Sequence, residues 1–380
     1  MKTIKDIEVF EGVRILVRVD FNVPIKNNLI VDDFRIRSAF PTIDYLRERG
    51  AKVILIGHLE SNEPSDNTFK PVVDHMNRLV ADSGKKFLFV PNLRNASGVI
   101  ENEMQNGDCV LLENLRHDEG EKKNDPKFAK ALASLADVYI NDAFSVSHRA
   151  HASIVGLPAL LPSYTGFQLE KEIANLSKAF NPSHPFLFIL GGAKFETKLP
   201  LLEKFLVIAD TVFVGGALAT DFFKEKGYEI GISLVSDGDF GLTKYVNNPK
   251  LMLPVDIINQ NNEVKNVDGL NSNDKCVDSG PKTLELLRSK VAVAKFILWN
   301  GPLGIYEKGF KTGTLSLAKI IAERREQDTE VESLVGGGDT IAAISENNDE
   351  SKFSFVSTGG GAMLEFLAKG TLPGIEALGD

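Results

Sequence analysis

Ten short apolar runs, each leading into a longer amphipathic stretch, limit what this chain can fold into. Arg14–Val19, Val53–Ile56, Phe87–Val90, Cys109–Leu112 and Val138–Ile140 lie in the first half. Phe186–Leu190, Thr211–Val214, Phe296–Trp299, Ser333–Val335 and Phe353–Val356 lie in the second. Runs this short, rich in Val, Ile and Phe, suit strands buried on both faces of a parallel sheet. The stretches between them carry helical spacing, as in Arg37–Arg49 and Pro126–Leu135. Alternating β and α elements predict an α/β fold with doubly wound, Rossmann-like parallel sheets. A chain of 380 residues exceeds one ordinary core, so two such domains are expected.

The division is expected near Gly156–Gly166, a stretch that holds Pro158 and Pro162. Phe167–Phe180 then reads as a charged amphipathic helix, either joining two domains or lying on the surface of one. The expected domains are residues 1–166 and 167–362. Asn259–Ser279, polar and Asn-rich, reads as a loop or hairpin excursion.

Charge and cysteine content narrow the function classes. The formal charge, 43 − 52 = −9, disfavours a broad nucleic-acid surface but leaves room for small anions held by a few local cations. Cys109 and Cys276 form no CxxC pair, which argues against zinc and a disulfide framework. Met1–Phe10 does not read as a signal peptide. No apolar run approaches the roughly 18 residues of a membrane helix. A cytoplasmic protein without membrane or nucleic-acid partners is expected.

Four times in the second half a strand runs into glycines and then a helix: FLFIL-GGAK, VFV-GGALA, SLV-GGGDT and FVS-TGGGA. Ligands of open α/β sheets sit beyond the carboxyl ends of the strands. Glycine admits close approach of the backbone, and a helix N-terminus offers free N–H groups to anions. The glycines could also make simple turns, but four in one half point to a phosphate- or nucleotide-binding surface. Neither a GxxxxGK[ST] loop nor a GxGxxG fingerprint in strand–helix context is present, which argues against a P-loop and a dehydrogenase. Lys194 and Lys198, at i and i+4, share one face if both are helical. Asp339 either caps its helix or holds Mg²⁺ beside phosphates. Asn300 and Glu307 flank the turn of ILWNGPLGIYE, where a carboxylate suits a ribose hydroxyl.

The first half places different residues at its strand ends. Asp20 and Asn22 follow the first strand, His58 follows VILIG, and Arg116 follows VLLENL. Arg149 lies in VSHRAHA, and Arg35 in a short loop ahead of a helix. If these converge, the arginines would bind a phosphate or carboxylate bidentately. Asp142 reads as a cap or an arginine partner, and His148 and His151 as no metal site.

VRVDFNVP, LLENLR, NDAFSVSHRAHAS, GGAKFETKL, WNGPLGIYE, GGGDT and STGGGA occur in this order from Arg14 onward. In order and spacing the chain resembles the phosphoglycerate kinase family. The resemblance implies an N-terminal domain for 3-phosphoglycerate, a C-terminal domain for MgADP or MgATP, a closing hinge helix, and a commonly monomeric protein. It implies that the tail, residues 363–380, packs back on the first domain. Carried residue by residue, it places Asp20, Phe21, Asn22, Arg35, His58, Leu59, Ser61, Arg116 and Arg149 at the phosphoglycerate. Gly191, Gly192, Gly215 and Gly216 would line the nucleotide side, with Lys194 and Lys198 on its phosphates and on the one in transfer. Glu307 would bind the ribose, and Asn300 would belong to the nucleotide-binding residues. Gly336, Gly337, Gly338, Asp339 and Thr340 would cradle phosphates, with Asp339 on Mg²⁺. Phosphoryl transfer needs in-line positioning and charge neutralisation more than a general base, so Arg35 and Lys194 are the expected catalytic residues.

One departure stands out. Where the family reads HLGRP, this chain reads His58-Leu59-Glu60-Ser61. Ser61 replaces an expected substrate-binding arginine and Glu60 a glycine. Ala217 and Ser279 are lesser departures. A reversible phosphotransferase of glycolysis is the reading implied. The alternatives are a nucleotide-binding paralogue with weak or no catalysis and a kinase of another small carboxylate.

Overall fold

The computed structural model describes residues 1–60, 67–346 and 349–379. They form two compact units, Met1–Ala174 with the tail from Thr371, and Asn175–Gly370.

In unit 1 the strands are β1 (Arg14–Arg18), the hairpin β2 (Ile25–Lys26) and β3 (Leu29–Ile30), β4 (Lys52–Ile56), β5 (Phe87–Val90), β6 (Cys109–Leu112), β7 (Val138–Asn141) and β8 (Ser163–Thr165). The helices are α1 (Phe34–Arg47), α2 (Lys70–Leu79), α3 (Ala96–Asn102), α4 (Glu119–Lys122), α5 (Pro126–Ala133) and α6 (Phe167–Ser177). The sheet runs β5-β6-β4-β1-β7-β8, and every pairing is parallel. Strand residues alternate between two cores. Val17, Val53, Leu55 and Leu111 fill one face, while Leu16, Ile54, Ile56 and Val110 fill the other. This period of two is what apolar runs covered on both faces produce. Full burial of each such side chain contributes about 1.5–3 kcal/mol.

Unit 2 repeats the plan with β9 (Phe186–Leu190), β10 (Thr211–Val214), β11 (Leu251–Met252), β15 (Phe296–Asn300), β16 (Glu332–Gly336) and β17 (Phe355–Val356). Their order is β11-β10-β9-β15-β16-β17, again parallel throughout. Its helices are α7 (Phe195–Ile208), α8 (Ala217–Glu225), α9 (Thr243–Val246), α10 (Pro281–Val293), α11 (Thr312–Gln327), α12 (Gly338–Ser345) and α13 (Gly361–Lys369).

The polar stretch Asn259–Ser279 is more than an excursion. β12 (Asp256–Asn259), β13 (Val264–Asn266) and β14 (Cys276–Ser279) form an antiparallel sheet in the order β13-β12-β14. Its few apolar residues, Ile257, Val267 and Leu270, pack on Ala219 and Phe223. Two aspartates tie it to the main layers. Asp256 accepts from the Thr283 amide at 2.8 Å, capping α10. Asp278 accepts from the Gly313 amide at 2.8 Å, capping α11.

Three boundaries differ from the sequence expectations. Gly156–Gly166 contains β8, an edge strand on β7, so the divide falls later, between Ala174 and Asn175 inside α6. The tail that groups with unit 1 starts at Thr371 rather than 363. α13 stays with unit 2 because Phe366 packs on Phe180 at 5.7 Å and Lys204 donates to the Leu367 carbonyl at 2.7 Å. Within unit 1, α14 (Pro373–Glu376) is anchored by the Gly374 amide, which donates to the Ser147 carbonyl at 2.8 Å. Arg35 lies in the first turn of α1, not in a loop before it.

Candidate functional site

In unit 2, β9 feeds β10 on one side and meets β15 on the other, the switch point where open α/β sheets bind ligands. The strand ends are locked together there. The Gly191 amide donates to the Asn300 carbonyl at 2.8 Å, and the Gly192 amide to the Pro302 carbonyl at 2.9 Å. Glycine is required at this crossing. A Cβ on Gly301 (φ +94°) would meet the Gly191 oxygen at 2.4 Å, and one on Gly216 (φ +63°) the Gly192 nitrogen at 2.7 Å.

A cavity of about 280 Å³ opens beside this crossing, lined in part by Gly192, Gly216, Ala217, Leu303, Glu307 and Asp339. Three helices start around these strand ends, with N-caps at Lys194 for α7, Gly216 for α8 and Gly337 for α12, and none has a side-chain cap. The first amides of α7 and α12 therefore retain capacity for an anion, whereas in α8 the Leu218 amide already donates to the Gly192 carbonyl and the Ala219 amide to the Gly216 carbonyl, both at 3.2 Å. Asp339 sits in the first turn of α12 and is not its cap, which removes the simplest structural explanation for it. Burial raises its pKa, as does Glu307, while Lys198 opposes the shift. Such a carboxylate suits a cation. Among the described residues no group of three His, Cys, Asp or Glu could hold a metal alone. A single carboxylate fits Mg²⁺ held chiefly by phosphates and water.

The two lysines part company. Lys194 is an extended, exposed residue ahead of α7, whereas Lys198 is inside the helix and only 8% exposed. They do not share a helix face, because the glycine crossing delays the first turn. Lys198 Nζ donates to the Gly191 carbonyl. Burial lowers its pKa to about 8, with Asp339 opposing.

Several of the expected nucleotide residues are tied into the strand ends. Asn300 is buried at the end of β15, where its carbonyl accepts from Gly191. Thr340 is fully buried and accepts from the Gly301 amide at 3.1 Å. Gly336 and Gly215 are buried as well. Gly337 and Gly338 form the start of α12. Sequence reasoning missed the opposite wall, which includes Ile257, Lys275, Cys276 and Val277 of the antiparallel sheet and its approach, along with Phe223. The departure residue Ser279 also lines the cavity.

In unit 1 the ends of β1, β4, β6 and β7 gather cations. The side chain of Arg35 reaches back from the first turn of α1, as helical side chains do. Its Nη1 lies 3.0 Å from Asp20 Oδ2 and donates to the Asn22 carbonyl at 3.1 Å. Asp20 is itself fixed, accepting from the Asn22 amide at 3.1 Å and the Ser145 hydroxyl at 2.5 Å. His58 is 2% exposed. Its Nδ1 is 3.1 Å from Arg18 Nη2. Arginine only donates, so Nδ1 accepts and the ring proton sits on Nε2. Burial holds the His58 pKa well below the usual histidine value, reinforced by Arg18, Arg116, Arg149 and Arg35.

Arg116 is the anomaly of this cluster. Its side chain is 5% exposed, and none of its three guanidinium nitrogens makes a hydrogen bond among the described residues. Burial lowers its pKa to about 10, and Arg149 and Arg18 push the same way. Its ion-pair partner among the described residues is the half-exposed Glu60 carboxylate; a buried, charged fork lacking hydrogen bonds is costly, and a bound anion would satisfy it. Arg149 stands beside it in the field, its Nε 3.4 Å from His148 Nε2.

Phe21 and Leu59 do not present side chains to this site. Both lie in the core, Phe21 edge-on to Phe69 at 6.4 Å, and Asn114 takes both backbone groups of Leu59. Ser61 lies outside the described residues. Arg18 was missed. It is fully buried, donating to Ser153 Oγ at 2.8 Å, and Ser153 donates to Glu121. A charged residue inside the apolar run RILVRV was the available signal.

Comparison with known proteins shows the family. The family model described as phosphoglycerate kinase matches residues 4–370. The phosphoglycerate kinase of Dictyoglomus turgidum is 43% identical over 100% of this chain and 99% of its own. That of Thermosipho africanus is 43% identical over 99% of this chain and 97% of its own. Among solved structures, phosphoglycerate kinase from Coxiella burnetii superposes with a TM-score of 0.82 at 34% identity, covering 99% of this chain and 98% of that one. The Pyrococcus horikoshii enzyme gives 0.84 at 31%, covering 100% and 98%.

Proposed function

The chain belongs to the phosphoglycerate kinase family, and we propose that its two units divide the substrates, with 3-phosphoglycerate on the arginines of unit 1 and nucleotide on the glycine-rich strand ends of unit 2. The activity is phosphoryl transfer with a carboxyl group as acceptor, reversible between 3-phosphoglycerate with ATP and 1,3-bisphosphoglycerate with ADP. Arg116 carries the assignment of unit 1, since its buried guanidinium makes no hydrogen bond among the described residues and is paired there only with the half-exposed Glu60 carboxylate, which a substrate phosphate can replace.

The acceptor is already an anion, so the chemistry needs alignment and charge neutralisation rather than a base. Arg116, Arg149 and His58 Nε2–H hold the phosphoglycerate. Arg35, braced by Asp20 and Asn22, faces its carboxyl end. Lys194, Lys198 and the uncapped amides of α7 and α12 take the nucleotide phosphates. Glu307 is placed for the ribose. Asp339 would hold Mg²⁺, which supplies neutralisation of phosphate charge. The unpaired Cys109 and Cys276 suit a reducing cytoplasm, and the protein acts as a monomer.

A coupled assay tests the activity. ADP should form only when both 3-phosphoglycerate and MgATP are present. Asp339→Asn should raise the Mg²⁺ concentration needed for half-maximal rate about tenfold. Product formation without 3-phosphoglycerate, or an unchanged Mg²⁺ requirement, would contradict the assignment.

Lys198 gives a pH signature. Burial lowers its pKa to about 8; bound phosphates favour its charged form and raise that value. Nucleotide binding should therefore take up more of a proton at pH 9 than at pH 6.5. Calorimetry in buffers of different ionisation enthalpy measures the uptake. A pH-independent value near zero would refute this role for Lys198.

A further inference from the structure

We propose that Glu60 is an anion latch that competes with the substrate's phosphate for Arg116 and thereby sets the Michaelis constant for 3-phosphoglycerate. The inference rests on the reading of unit 1 as the phosphoglycerate site.

Glu60 follows β4 and His58. Its backbone amide donates to Asn22 Oδ1 at 2.9 Å, so the residue is tied to the substrate residues themselves. Its side chain is half exposed, yet its carboxylate lies against Arg116 Nη1. The same oxygen is 3.5 Å from Lys122 Nζ. Asp20 and Glu121 act on Arg116 through the field, but among the described residues only the Glu60 carboxylate forms an ion pair with it.

A carboxylate and a phosphate repel at one guanidinium. The phosphate must therefore displace the Glu60 carboxylate toward solvent, a move its half-exposed side chain allows. The latch contact does not complete hydrogen bonds for the guanidinium, so the substrate has something to gain by replacing it. The cost of displacement falls on substrate affinity alone.

Steady-state kinetics of Glu60→Gln and Glu60→Gly tests this. Both should lower the Michaelis constant for 3-phosphoglycerate about three- to tenfold, between an exposed pair and a hydrogen-bonded charge. Inhibition by inorganic sulfate should strengthen by a similar factor. The Michaelis constant for MgATP should move less than twofold, a split that a merely structural role would not produce. In an Arg116→Met background, Glu60→Gln should change nothing, because the latch has lost its partner. A 3-phosphoglycerate constant unchanged or raised in both variants, or one that moves together with that for MgATP, overturns the latch. If Arg116→Met by itself leaves 3-phosphoglycerate binding intact, the reading of the site fails instead.

Discussion

Arg35→Ala should lower turnover about 10²- to 10³-fold, the usual effect of removing one donor aimed at transition-state charge. The residue is braced rather than mobile. Asp20 and the Asn22 carbonyl fix its Nη1 at 3.0 and 3.1 Å, so no ordering is left for the moment of reaction. Asp20 keeps its contacts to Ser145 and the Asn22 amide when Arg35 is gone, and the loop should hold its shape. MgADP affinity should stay within about twofold, because the nucleotide residues belong to unit 2. Arg35→Lys should recover only part of the rate, since an ammonium cannot reproduce the fork. Rapid-quench measurement of the chemical step checks this. Turnover of the alanine variant within threefold of the parent would remove Arg35 from the chemistry.

Arg116→Met should weaken 3-phosphoglycerate binding about 10- to 100-fold, the worth of a charge-assisted hydrogen bond or two. The same change should stabilise the protein. Methionine fills similar volume without a charge, relieves repulsion from Arg149 and Arg18, and leaves no unsatisfied nitrogens. The Glu60 carboxylate it leaves behind is half exposed and keeps Lys122 at 3.5 Å, so no buried charge is stranded, the condition under which apolar replacement is often neutral or stabilising. A gain of about 1 kcal/mol corresponds to roughly 2–4 °C in a domain of this size. Calorimetric melting with and without sulfate separates the two effects. Sulfate should raise the parent's Tm more than the variant's. A variant that melts lower yet binds 3-phosphoglycerate normally would show that Arg116 is structural.

The strands were legible because burial on both faces writes a continuous apolar run. Phe87–Val90, Cys109–Leu112 and Phe186–Leu190 match their runs to the residue. The edge strands β8 and β11 were not legible, since two or three residues on a sheet margin carry too little pattern. The β12–β14 sheet was hidden by its polar composition. Its stability comes from a few apolar contacts and from Asp256 and Asp278 capping helices distant in sequence. In the site, glycine runs announced the crossing of strand ends in unit 2, but not that Lys198 is buried while Lys194 is extended ahead of α7. Family resemblance flagged Glu60 as a departure. Its meeting with Arg116 depends on how β4 and β6 align, which no local pattern encodes.

The central claim is that two separately built anion sites serve one transfer reaction. Isothermal titration of the parent, Arg116→Met and Asp339→Asn with each substrate alone tests it most directly. Arg116→Met should lose affinity for 3-phosphoglycerate and keep it for MgADP, and Asp339→Asn should show the reverse. If either variant loses both ligands equally while remaining folded, or if the losses are exchanged, the division of labour described here is wrong.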